Sequence, residues 1–126
     1  MARSPVRQSD PDPRQVLAKA VIRAAGILGL TRAMLARVLG ISPSSVTRLY
    51  DGDYVLEPDS KTWEFAALLV RLYRGLDAIM AGDEQALRAW MVNPNTDLAD
   101  TPRSLITTIT GLVDVVSYVD AHRARL

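Results

Sequence analysis

Apolar residues recur at three- and four-residue intervals through most of this chain, which is the period of helices that bury one face. Over residues 14–28 the stripe Leu17, Ala20, Val21, Ala24 and Leu28 predicts a first helix, ended by Gly29. A broader face made of Phe65, Leu68, Leu69, Leu72, Leu76, Ile79 and Met80 predicts a long helix over 62–81, linking the two halves of the chain and broken by Gly82. Asp83 opens a shorter helix through Met91, terminated by Asn93 and Pro94, and a turn over 95–101 leads to Pro102. After it, SLITTITGLVDVVSYVDAHRARL fits one interrupted helix or two consecutive ones, with Gly111 as the interruption. The β-branched run over 106–110 also has strand composition, but the chain offers no second strand to pair with it. The expected class is all-α.

Between the first helix and the long one, LTRAMLARVLGISPSSVTRLYDG over 30–52 has the pattern of a helix-turn-helix. Thr31 caps a first short helix over 33–39, and Gly40 with Ile41 makes a sharp bend. Ser42 caps a second helix whose first position, Pro43, needs no amide hydrogen. Ala36 allows close crossing, Gly40 tolerates the turn, and Val46 and Leu49 dock the second helix. Such a helix presents its first residues to base edges in a DNA major groove. Ser44, Ser45, Thr47 and Arg48 lie on its start and outer side, where hydroxyls and a guanidinium suit bases or phosphates. Arg32 and Arg37, with Arg3 and Arg7, are candidate phosphate contacts. Two plainer alternatives stay open: an ordinary packed helix pair, and arginines that are each only solvated. The outer face has no Asn or Gln, so each copy would bind weakly and pairing of copies would matter. The turn-rich DGDYVLEPDS over 51–60 connects this unit to the long helix.

Charge sharpens the division. The net charge is +1, yet residues 1–50 carry eight basic against two acidic residues and residues 51–100 four against ten. A basic front half meets phosphates without making the whole chain basic. The 126 residues fit one domain or two small helical units sharing a core, and with 48% hydrophobic residues but a single Phe that core is aliphatic. Residues 1–13, with three prolines, are expected to be a flexible arm, 14–60 the helix-turn-helix unit, and 61–126 a second helical unit. Absent cysteine and a lone His122 leave no thiolate or histidine metal cluster, and there is no glycine-rich phosphate loop, so neither enzyme nor metal nor cofactor is expected. The acidic pairs Asp51/Asp53, Asp83/Glu84 and Asp97/Asp100 fall at turns or a helix start, where capping explains them. No signal peptide or membrane span is apparent, and a cytoplasmic location is expected.

In the second half, Ala86, Trp90, the corner Asn93-Pro94-Asn95, Leu98, Pro102, Leu105 and Gly111 together resemble the toxin-binding domain of the Xre/MbcA/ParS antitoxins. Behind a helix-turn-helix, the resemblance covers roughly residues 14–126. It implies an all-helical antitoxin of a type II toxin–antitoxin system that blocks a RES-domain toxin, an enzyme that destroys NAD, and that represses its own operon by binding operator DNA. Related antitoxins form homodimers and larger complexes with toxin, and their C-terminal ends reach toward the toxin's active-site entrance. The resemblance thereby places toxin contacts on Asp114, Ser117, Tyr118, Asp120, His122, Arg123, Arg125 and Leu126. One departure is Asp100, where the family commonly has Gly; Asp also tolerates turns. From the residues alone, Trp90 is a core anchor, Asn93 and Asn95 hydrogen-bond the turn around Pro94, and Leu126 either enters a partner's cleft or frays. The alternative function is a dimeric helix-turn-helix transcription regulator without a toxin.

Overall fold

A computed structural model of the chain describes residues 11–125. The expected arm falls almost wholly outside them, as do Arg3, Arg7 and Leu126. Seven helices follow one another among the described residues: α1 (Pro13–Leu28), α2 (Arg32–Leu39), α3 (Pro43–Asp51), α4 (Lys61–Ile79), α5 (Glu84–Val92), α6 (Pro102–Leu105) and α7 (Ile109–Arg123). The only β feature described is an isolated antiparallel bridge between Asn95 and Asp100, so the 106–110 run is no strand.

Every helix starts on a side-chain cap. Asp12, Thr31, Ser42, Ser60, Asp83, Thr101 and Thr108 each accept a hydrogen bond from a backbone amide two or three residues on. A cap of this kind stabilises a helix by about 1 kcal/mol. At Asp12 the Arg14 guanidinium adds a 3.0 Å ion pair, and that hydrogen bonding holds the carboxyl below its ordinary range.

α4 lies between α1 and α7 and packs against both, with α2 against it as well. Val21, Ala24, Ala25 and Leu28 from α1 meet Leu69, Leu72 and Leu76 from α4, and Leu112, Val115 and Val119 close the far side from α7. Burying each Leu or Val contributes about 1.5–3 kcal/mol. The α4–α7 approach is close enough to demand glycine: a Cβ on Gly75 would stand 2.7 Å from Val119 Cγ1. Among the described residues no polar or charged residue is fully buried and no buried side-chain polar atom lacks a partner.

The break between α6 and α7 falls at 106–108, earlier than the expected interruption at Gly111. Threonine hydroxyls bond back onto the preceding turn there: Thr107 Oγ1 donates to Ser104 O at 2.7 Å and Thr108 Oγ1 to Leu105 O at 3.3 Å, back-bonding of the kind that accompanies helix bends. Thr108 then turns to extended backbone and caps α7 by accepting from the Gly111 amide at 3.1 Å. Gly111 itself sits buried in the first turn of α7, where a Cβ would run into the Leu105 carbonyl oxygen. Its role is close approach, not interruption. Gly111→Ala is therefore expected to lower unfolding stability by about 1–3 kcal/mol, measured by urea denaturation; an unchanged midpoint would show that the α6–α7 corner opens without cost.

Candidate functional surfaces

The first surface is built by α2 and α3. α2 ends on Gly40 in the left-handed region (φ 68°), and its Ala36, Leu35 and Leu39 are buried together with Val46 and Leu49 of α3. The Phe65 ring edge would make only ordinary contact, at 3.7 Å, with a Cβ there, so it is the backbone conformation that calls for glycine. With Val46 and Leu49 turned inward, Ser44, Thr47 and Arg48 are left exposed on the outer side of α3. Ser45 differs from its neighbours: it is half-buried, and its Oγ accepts from Ser42 Oγ at 2.9 Å and from Arg48 Nη2 at 3.2 Å. It holds Arg48 in place from the side. Thr47 Oγ1 donates back to Pro43 O at 3.3 Å.

Two tyrosines steady the arginines. The Arg32 guanidinium stands 4.1 Å from the Tyr50 ring centroid and that of Arg48 5.5 Å from Tyr54. Arg37 is exposed in the last turn of α2. Asp51, exposed at the end of α3 and one turn beyond Thr47 and Arg48, puts a carboxylate on the same side. Within that last turn the Asp51 carboxylate offsets the attraction of Arg48 for a polyanion.

The second surface lies on α7 and the loop before α6. Asp114, Ser117, Tyr118, His122 and Arg125 share one flank by helical spacing, with the first two and Arg125 exposed and the two rings half-buried. Tyr118 organises this flank. Its ring lies between Trp90, stacked at 6.3 Å between centroids, and His122 at 4.2 Å, while its hydroxyl donates to Asp97 Oδ2 at 2.8 Å. That hydrogen bond raises the Tyr118 pKa above its ordinary value. His122 Nδ1 lies 2.9 Å from the Tyr118 carbonyl oxygen. Asp120 and Arg123 lie elsewhere on the helix, and Asp120 is paired with Arg71 of α4 at 2.8 Å.

Trp90 is half-buried rather than deep, packed against the core and stacked on Tyr118. In the Asn93-Pro94-Asn95 corner the two asparagines part ways. Asn95 Oδ1 accepts from the amides of Asp97 and Leu98 at 3.0 and 3.1 Å, fixing the turn. Asn93 ends α5 through its own amide on Ala89 O, and its exposed side chain has no hydrogen bond among the described residues. At the point of departure from the family, the left-handed residue is Ala99 (φ 66°), while Asp100 caps the Thr101 amide and bridges back to Asn95. Pro102 is buried at the start of α6.

A family model described as the antitoxin Xre-like helix-turn-helix domain matches residues 7–71. A second, described as the antitoxin Xre/MbcA/ParS C-terminal toxin-binding domain, matches residues 76–125. The chain belongs to the Xre/MbcA/ParS antitoxins. No curated protein matches the chain. The first domain of this antitoxin is a helix-turn-helix, which implies DNA binding, and the second binds a toxin; the first match ends and the second begins inside α4. No helix among the described residues is long and apolar enough to cross a membrane.

The sequence assigns Asp97 a capping role, whereas it accepts from Tyr118, and nothing in the sequence marks Arg71 or Arg88. Arg88 of α5 donates to the carbonyls of Ile27 and Gly26 at 3.0 and 3.4 Å, satisfying the end of α1. Each partner lies far away in the chain, so no local signal announces it. The Tyr118 hydrogen bond carries a pH signature. A tyrosine whose folded pKa is raised contributes stability that is full below its unfolded value near 10 and is lost as pH rises through the folded value. Titration of stability at alkaline pH should show this loss, and Tyr118→Phe should remove that component of it; identical alkaline profiles would mean that the bond to Asp97 does not persist in solution.

Proposed function

We propose that this antitoxin neutralises a RES-domain toxin that degrades NAD, and that it binds the operator of its own operon as a homodimer. The toxin-binding match over residues 76–125, directly after a helix-turn-helix, carries this reading. In it, Ser44, Thr47 and Arg48 enter the major groove with Ser45 orienting Arg48, and Arg32 and Arg37 contact phosphates. The α7 flank of Asp114, Ser117, Tyr118, His122 and Arg125 meets the toxin; Asp120 and Arg123 leave α7 on its other sides, and contacts from them and from Leu126 rest on the family resemblance alone. The toxin-binding unit is proposed to begin near residue 61 with α4, a helix into which the helix-turn-helix match also runs, as far as residue 71.

An apolar groove between the first half of α4 and the start of α7 supports pairing of copies. It has a volume of about 690 Å³, is lined by Trp63, Leu68, Ile109 and Val113 together with the charged Asp59, Lys61, Glu64 and Arg71, and leaves Ile109 60% exposed. A buried aliphatic surface shared by two copies would restore the burial that these side chains lack.

Deleting the chain from residue 112 would strip Leu112, Val115, Val116 and Val119 from the core, so the toxin surface is better tested by exposed substitutions. Expression of the neighbouring reading frame is expected to stop growth and deplete NAD, and co-expression of the chain to restore both. The double variant Asp114→Arg/Arg125→Glu should fold and fail to rescue. A neighbour that leaves NAD untouched, or a double variant that rescues fully, would count against the toxin or its assigned surface respectively. For DNA, Arg48→Ala is expected to weaken binding to the region upstream of the chain's own reading frame by about 1–3 kcal/mol if it reads a base, in a gel-shift titration; unchanged affinity would remove Arg48 from the contact face.

A further inference from the structure

A cleft of about 290 Å³ joins the two halves of the antitoxin where α2 faces α6. Arg37 reaches it from α2 and Arg103 from α6, and Thr101, Ser104 and Thr107 complete its polar wall. Arg103 is half-buried, and its Nε points at Met34 Sδ at 3.1 Å, which lays the guanidinium along α2. Met34 and Arg37 are one turn apart on that helix, so the two guanidinium groups share one side of it. Neither arginine has an ion-pair partner among the described residues. No carboxylate lines the cleft, in a chain with 14 acidic residues.

Two like charges converging on one small cleft repel each other unless an anion sits between them. Two of the three hydroxyls suit such an anion too, the Thr107 proton being given to Ser104 O. Thr101 Oγ1 accepts from the Ser104 amide and keeps its own proton to donate, and Ser104 Oγ is exposed beside it. Guanidinium groups with nearby hydroxyl donors match the oxygens of a phosphate diester.

The place of the cleft selects the source of that phosphate. Arg37 lies in the last turn of α2, and its carbonyl accepts the Gly40 amide at 3.3 Å, at the bend that leads directly into α3. In a helix-turn-helix the first helix crosses the DNA backbone while the leading end of the second enters the groove. We infer that Arg37 and Arg103 clamp one backbone phosphate of the operator, so that the toxin-binding half supplies a DNA contact of its own through α6. This inference rests on the operator-binding reading above. It makes Arg103 a sequence-independent contact: it adds affinity and salt dependence without selecting bases.

The test compares the full-length chain with Arg103→Gln, Arg103→Lys and Arg37→Gln. Each is titrated, at several salt concentrations, with a labelled duplex spanning the region upstream of the chain's own reading frame and with an unrelated duplex. Thermal melting is followed in parallel so that only folded variants are compared. Loss of one phosphate contact is expected to lower the slope of log affinity against log salt by about 0.9 per bound chain. Arg103→Gln should weaken binding to both duplexes by the same factor, Arg37→Gln should do likewise, and Arg103→Lys should restore most of the slope. An Arg103→Gln variant with wild-type affinity and slope overturns the clamp while leaving operator binding intact. Unaltered DNA binding with weakened toxin binding assigns the arginines to the toxin and overturns it as well. A wild-type chain that binds neither duplex overturns both the clamp and the operator reading.

Discussion

The packing of α4 between α1 and α7 is the interaction on which the rest of the molecule depends. α4 also receives α2, so the helix that carries the core of the DNA-binding unit is the same helix that seats the toxin-binding unit. Its apolar face spans nearly two-thirds of a cylinder: Leu69, Leu72 and Leu76 are fully buried, and Ala66, Val70 and Gly75 fill the narrower gaps. At Gly75 the absence of a side chain lets Val119 of α7 settle against the α4 backbone. A larger residue there would push α7 outward and move the Tyr118 flank with it, because that flank is on the same helix as Val119.

Long-range polar contacts then fix the outlying elements on this apolar frame. Arg88 binds the last carbonyls of α1, Arg71 holds Asp120, and Tyr118 reaches Asp97 in the loop ahead of α6. All three are at least partly exposed to solvent, and contacts of that kind contribute about 1 kcal/mol or less each. Their effect is geometric. They set how α5 and the loop from 93 to 101 sit relative to α7, which is where the antitoxin is proposed to meet its partner.

Much of the helical layout was legible in the sequence because it follows from local rules. Caps such as Thr31, Ser42 and Asp83, the prolines at helix starts, and the stripe along α4 depend on residues within a turn of one another. The α6–α7 corner was placed wrongly because Gly111 looks like a breaker, whereas the chain leaves the helix at Thr108, whose backbone is extended, and Gly111 lies inside the first turn of α7. The helix-turn-helix was legible for the same local reason: Ala36, Gly40, Val46 and Leu49 are spaced by the motif's own geometry. What escaped were groups defined by distant partners. Nothing around Arg103 in the chain hints that it lies beside Met34, 69 residues earlier, and nothing around Asp97 hints at Tyr118. Asp100 stood out in the sequence as the odd residue of its turn, yet the left-handed backbone falls on Ala99.

If α4 binds the two halves into one body, they must unfold together. Urea unfolding followed both by helical circular dichroism and by fluorescence of Trp63 and Trp90, which lie in different matched domains, tests this most directly. The account predicts coincident transitions with a single midpoint, as for one cooperative domain. Two separated transitions, or fluorescence changing before helix content, would show that the DNA-binding and toxin-binding units are independent and that α4 does not couple them.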